Sequence, residues 1–180
     1  MPADPELAKP ALAAALEKIA GQEKQIVIDT KNSVLTIDAP RSAGGYAEKG
    51  QTITTGSVEV SELTYGATVF VNSLDAAPIA ASRRLLVTHL TDLQNTACHY
   101  AEGAKQTLLD WGRLPHLVRD GSARIRIAVA DPEKLTIWAL AVNGRRVEKV
   151  DAKIEGERLV FIANVKGAEG ARMLYEIAEK

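Results

Sequence analysis

The stretch LLVTHLTDLQNTACHY, residues 85–100, gathers the side chains of this chain best suited to chemistry. His89, Asp92 and His99 supply two imidazoles and a carboxylate, Ser82 or Thr91 a hydroxyl, and Cys98 a thiol. Such groups serve proton transfer or nucleophilic attack once a fold brings them together, and closeness in sequence is neither required nor sufficient. No G-x-S-x-G elbow and no H-E-x-x-H pair accompanies them. A Cys98 thiolate with His99 or His116 as its base is the other nucleophilic arrangement available. In an extended stretch, however, Cys98 and His99 face opposite sides, and a lone cysteine among apolar residues is more often a small core side chain. Asp92 and Asp110, with Glu102 as an outsider, are the candidates for paired carboxylates, but nothing in the sequence makes two of them face each other.

The same residues have a structural use. An antiparallel strand that leaves its sheet loses ladder partners, and its buried backbone groups must then be satisfied by side chains. Asp92, Gln94 and Asn95 are short and bifunctional, and Asx residues also bond their own backbone at turns. LTDLQNT therefore reads first as a hydrogen-bonded strand-end corner, with a rim that touches a ligand or a partner. Aromatic residues make up only 4% of the chain, so few platforms for stacking exist. Trp138 lies mid-strand in LTIWALAV and is predicted in the core. Trp111, in the irregular connection LLDWGRLPHLVRDG, is the better candidate for exposure, although packing is the commoner role of such a residue. Tyr46 and Tyr100 complete the aromatic candidates.

The elements that must position these groups are mostly strands. Residues 25–38 have a period of two, Ile26 and Ile28 alternating with Val27 and Asp29, and Val34, Thr36 and Asp38 with Leu35 and Ile37; with the turn DTKN between them they predict a hairpin. APRSAGGYAEKG follows and is predicted to be a surface loop, its glycines permitting positive φ. Further strands are predicted at Gly56–Ser61, Ala67–Leu74, Arg84–His89, Ala123–Val129, Leu135–Val142, Arg158–Ala163 and Arg172–Ile177. Asn143-Gly144 and Glu155-Gly156 are hairpin turns, the first a type I′ signal. Ahead of all this, residues 5–20 predict a short α-helix: Asp4-Pro5 and Pro10 suit helix starts, Leu12, Leu16 and Ile19 share a face, and Gly21 suits the C′ position. The expected architecture is all-β, an antiparallel β-sandwich (jelly-roll-like or Ig-like), with that one short N-terminal α-helix. The boundary falls at Gly21–Lys24, giving a linker helix over residues 1–23 and a β-sandwich domain over residues 24–180.

Composition narrows the function classes. Net charge is -1 with scattered Lys and Arg, which lacks the footprint of a nucleic-acid binder. One cysteine excludes an intrachain disulfide, and with three histidines it offers no metal-ligand spacing. No cofactor is expected. No apolar run approaches the roughly 20 residues that span a bilayer, and MPADPELAKP lacks the basic start of a signal peptide.

SRRLLVTHLTDLQNT followed by TLLDWGRLPHLVRDGSARIRI resembles an accessory module of bacterial multidomain glycoside hydrolases, a C-terminal β-sandwich that follows a (β/α)8 catalytic barrel. VLTIDAPRSAGGY is similar to the strand-and-loop opening of that module, and ARMLYEIA to its last strand, so the likeness runs from about Ala11 to Ala178. The chain departs from the pattern at Ala97-Cys98-His99, where Gly, an aliphatic residue and Arg are more usual, and at Asp38-Ala39, which replace the usual Thr before Pro40. His99 would be a pH-sensitive substitute for that Arg. The resemblance implies a non-catalytic domain, because the catalytic carboxylates of such enzymes lie on the barrel. It implies structural support, carbohydrate binding, or both. The partners would be a polysaccharide or oligosaccharide and the parent's (β/α)8 domain, in a bacterial secreted or periplasmic setting. An uncovered docking face would favour self-association. The contact residues to expect are Trp111, Tyr100, His99, Asn95, Gln94, Asp92, His89 and Tyr46. The alternative is a small self-contained hydrolase using the His89/Asp92/His99 region, which requires those side chains to converge in one pocket.

Overall fold

A computed structural model describes residues 25–179; the predicted helix over residues 5–20 and the linker over residues 1–23 lie outside the described residues. The chain is mostly antiparallel β-sheet. Among the described residues the only helical turns are the short 3-10 segments Ile79–Ala81 and Pro132–Lys134.

Two sheets dominate. The larger has eight strands in the order Ile26–Asp29, Val34–Ala39, Ser42–Ala47, Ala67–Ser73, Arg84–Leu90, Leu174–Glu179, Leu135–Leu140, Arg146–Val150. The smaller has five, in the order Lys153–Glu155, Arg158–Asn164, Ser122–Ala128, Val58–Ser61, Ile53–Thr54. Period-two patterning explains both. In Ala67–Ser73 and Ser122–Ala128 every second residue is buried and the rest are partly exposed, as a strand with one core face requires. The buried side chains of the larger sheet (Val69, Val71, Leu85, Val87, Ile137, Ile177) and of the smaller (Val58, Val60, Ile125, Ile127, Leu159, Phe161) belong to one hydrophobic core.

The hairpins at Asn143-Gly144 and Glu155-Gly156 form as the turn chemistry predicts, with Gly144 at φ 84 and Gly156 at φ 63. Two expectations are corrected. Ser42–Ala47, expected inside a surface loop, is a central strand paired with Val34–Ala39 on one side and Ala67–Ser73 on the other. Gly44 and Gly45 are buried there, and a Cβ on Gly44 would stand 2.1 Å from the Val69 carbonyl oxygen. These glycines serve close backbone approach within a sheet. Trp138, expected in the core, is half-buried on the opposite face, because its neighbours Ile137 and Ala139 take the inward positions. The Arg146 guanidinium covers its ring at 5.4 Å from the centroid.

Gly44→Ala therefore meets both a positive φ and a backbone collision. The expected loss is roughly 2–4 kcal/mol, seen as a lower urea midpoint at unchanged slope. Gly50 has φ 78 with nothing near its would-be Cβ, so Gly50→Ala should cost only about 1 kcal/mol. Equal losses at the two positions would remove the close-approach explanation.

Candidate functional site

The strand Arg84–Leu90 carries the first predicted site residue inward. His89 is 0% exposed, and its backbone N–H donates to the Met173 carbonyl at 2.8 Å. Neither ring nitrogen has a hydrogen-bond partner. Burial pushes its pKa down to about 4, so the ring is neutral near pH 7. A surface contact through His89 is thereby corrected: the alternation that places Leu85 and Val87 in the core places His89 there too.

Beyond Leu90 the chain leaves the large sheet and forms a small flap of two ladders, Leu93–Thr96 with Arg113–Val118 and His99–Tyr100 with Leu108–Asp110. The polar residues of LTDLQNT tie its base. Thr91 Oγ1 donates to the Arg119 carbonyl at 2.6 Å, and the Arg119 N–H donates to the Asp92 carbonyl at 2.8 Å. The Asp92 carboxylate accepts from Lys105 Nζ at 2.7 Å, and Gln94 Oε1 lies 3.4 Å from the same ammonium. That partnership raises the Lys105 pKa, with the Asp92 hydrogen bond as the leading cause.

Further out, Asn95 and Thr96 clasp the connection that carries Trp111. Asn95 Nδ2 donates to the Trp111 carbonyl at 2.8 Å, and Asn95 Oδ1 meets His116 Nδ1 at 2.7 Å. Thr96 Oγ1 donates to the Pro115 carbonyl at 2.7 Å. Gly112 turns the chain at φ 69, where a Cβ would stand 2.3 Å from the Thr96 carbonyl oxygen, and its N–H donates to Asp110 Oδ1 at 2.8 Å. The backbone under Trp111 is thus fixed while its side chain stands 75% exposed. Leu109 and Leu114 beside it are 67% and 71% exposed, and Leu93 and Leu117 are exposed as well.

Tyr46 lies apart from the Trp111 turn. It lines a surface cleft of about 490 Å3 with Glu48, Lys49, Tyr65, Gly66, Thr68, Leu90, Thr91, Asp92 and Lys105. The Tyr46 hydroxyl donates to the Glu48 carboxylate, which pushes its pKa up to about 12. The Arg119 guanidinium sits 4.8 Å from the centre of the Tyr65 ring. Tyr100 is half-buried under Lys105, 5.9 Å from its ring centre, and a hydrogen bond with Cys98 leads the upward shift of its pKa. His99 is exposed on the flap, opposite Asp110 in the ladder.

The fold thus joins Asp92 and Tyr46 in the cleft and gives Asn95 and Trp111 one clasp. It keeps His89 in the core and His99 on the flap, so His89, Asp92 and His99 do not converge. Among the described residues no group of three His, Cys, Asp or Glu is placed to hold a metal ion, and no helix is long and apolar enough to cross a membrane. Sequence reasoning missed Tyr65, Glu48 and Lys105 in the cleft and the leucines around Trp111. The cleft residues come from separate strands and loops, which no local spacing reveals, and leucines in a polar connection carry no signal of exposure. Comparison with family models, with curated proteins and with solved structures finds no match for this chain.

The orphaned imidazole has a measurable consequence. Its folded pKa of about 4 lies below the unfolded value of 6.5, so the unfolded chain takes up a proton first as pH falls. Stability is full above pH 6.5 and is lost as pH falls through about 4, by roughly 3 kcal/mol from this residue. His89→Leu should flatten the pH dependence of urea unfolding across that window and cost little at pH 7. An undiminished slope in the variant would assign the acid sensitivity to other groups.

Proposed function

We propose that this chain is a non-catalytic accessory module of a carbohydrate-active enzyme, a β-sandwich formed by its two sheets, and that the Trp111 flap is its contact surface. The observation that carries this reading is the flap itself. A tryptophan and four leucines stand exposed on a backbone clasped by Asn95, Thr96 and Gly112. Water-exposed apolar clusters of this kind mark surfaces that are covered in use. A rigid aromatic anchor loses little conformational freedom when it is covered.

The motif order quoted from the sequence supplies the enzyme class: a module that follows a (β/α)8 glycoside hydrolase barrel and touches either that barrel or its polysaccharide. The shared core supports packing of the two sheets face to face. The Tyr46–Tyr65 cleft, with Asp92, Glu48 and Lys105 on its walls, adds the mixture of aromatic and hydrogen-bonding groups that a sugar ring requires. The hydrolase alternative lacks its required convergence of His89, Asp92 and His99 and gains no support from the geometry.

The test is affinity gel electrophoresis of the chain on a broad panel of plant, algal and bacterial polysaccharides, followed by calorimetry, beside sedimentation over a range of protein concentration. Retardation by one glycan class, lost in Trp111→Ala, assigns the flap to the glycan. No retardation, with self-association that Trp111→Ala and Leu114→Ser abolish, assigns it to a protein partner of the same chemistry. A chain that is neither retarded nor self-associating, and that is unchanged by both substitutions, would overturn the reading.

A further inference from the structure

Strand register builds the cleft beside the flap. Tyr46 pairs with Thr68 and Thr68 with Leu90, so three neighbouring strands of the large sheet supply its floor as one row. Their chain neighbours Ala47, Ala67, Val69 and His89 are buried, which turns the row to the outer face. Glu48 lies two residues beyond Tyr46, and Asp92 two beyond Leu90, so each end of the row carries a carboxylate. Gly66 completes the rim without a side chain: a Cβ there would stand 2.8 Å from Glu48 Oε2 and 3.2 Å from the Tyr46 hydroxyl.

Each carboxylate is half used. Glu48 Oε1 accepts from the Tyr46 hydroxyl and Asp92 Oδ2 from Lys105 Nζ, while Glu48 Oε2 and Asp92 Oδ1 accept no hydrogen bond among the described residues. Lys49 Nζ and the Thr68 hydroxyl are likewise unspent there. Glu48 and Asp92 are balanced by Lys49 and Lys105, so the formal charges of the lining cancel. An anionic ligand meets the two carboxylates, and a cationic one the two ammonium groups. A neutral ligand rich in hydroxyls suits both, because a hydroxyl donates to a free carboxylate oxygen and accepts from an ammonium. Apolar faces for the carbon skeleton come from Leu90 and from Tyr65, both exposed, the Tyr65 ring being held by the Arg119 guanidinium.

We infer, on the reading that this module meets a glycan, that the Tyr46–Tyr65 cleft is a second contact beyond Trp111 and selects neutral pyranose units, Glu48 Oε2 and Asp92 Oδ1 accepting from their hydroxyls. Uronate and sulfated units are refused, because their anionic groups would face those same two oxygens. Trp111 and the leucines around it have no charge with which to make that distinction, so the class of sugar is decided in the cleft.

The test is titration of the isotope-enriched full chain with neutral oligosaccharides cut from cellulose, xylan, mannan and galactan and, in parallel, with oligogalacturonate. The expected result is saturable movement of the backbone amide signals of Tyr46, Gly66, Thr68, Leu90 and Lys105 with a neutral series, and none with oligogalacturonate. Glu48→Gln keeps an acceptor for the Tyr46 hydroxyl and turns the free oxygen into a donor; Asp92→Asn does the same beside Lys105. Each is expected to weaken the neutral sugar about tenfold. Should Asp92→Asn loosen the flap, Glu48→Gln, which lies outside it, carries the test. Binding untouched by Glu48→Gln, or stronger movement with oligogalacturonate, would overturn the inference. Movement confined to residues 109–114 would overturn it too, and would leave the Trp111 flap as the glycan contact. No movement with any sugar would remove the cleft assignment together with the glycan half of the broader reading.

Discussion

The fold depends on its last strand lying in the middle of its largest sheet. Leu174–Glu179 pairs with Arg84–Leu90 on one side and with Leu135–Leu140 on the other. Without it the eight-stranded sheet separates into two pieces. The same strand ties the sheets together. Ile177 and Tyr175 enter the shared core, the Tyr175 ring meets Phe161 of the smaller sheet at 5.6 Å, and its hydroxyl donates to the Asn164 carbonyl at 2.7 Å. Burial there pushes the Tyr175 pKa up to about 12, so the phenol stays protonated and keeps donating. Because the strand's partners lie far back in the sequence, their pairing carries the loop-closure cost that makes non-local sheets slow to assemble.

Between those two core residues the strand turns Glu176 to the outer face, where it is only 6% exposed. A buried carboxylate is costly unless paired and hydrogen-bonded. Arg84 Nε and Arg146 Nε each donate to one of its oxygens at 2.7 Å. The Arg146 bond leads the lowering of the Glu176 pKa. Arg146 also covers Trp138, so one guanidinium satisfies the carboxylate and shields the indole. His89, in the core, received no such partner. The contrast is one of position: the outer face leaves long arginine side chains room to reach in from water, and the interior around His89 does not.

The strand pattern was legible because its cause is local. A period of two survives wherever one face is buried, as in Ala67–Ser73, Arg84–Leu90 and Ser122–Ala128, and Asn143-Gly144 and Glu155-Gly156 mark turns by their own backbone preferences. Ser42–Ala47 was illegible for the opposite reason. Its glycines lower local strand preference, and what demands them is the closeness of Val69 and Leu35 on neighbouring strands. The parity error at Trp138 has a subtler source: in Leu135–Leu140 only Thr136, on the face of Trp138, marks it as outward, and the pairing of Trp138 with Glu176 settles it.

The site was legible only in reverse. The residues that look chemical, Thr91, Asp92, Gln94, Asn95 and Thr96, spend their hydrogen-bonding capacity inside the protein, closing the base and the tip of the flap. The flap pairs only with itself once it has left the main sheet, and its ladders are short and interrupted by register shifts. Side chains here bond backbone carbonyls that no sheet neighbour reaches, those of Arg119, Trp111 and Pro115, so the dense polar sequence helps to hold Trp111, Leu109 and Leu114 out in water. Polar density in a strand-to-flap connection therefore points one step past itself, to whatever apolar surface the connection exists to present.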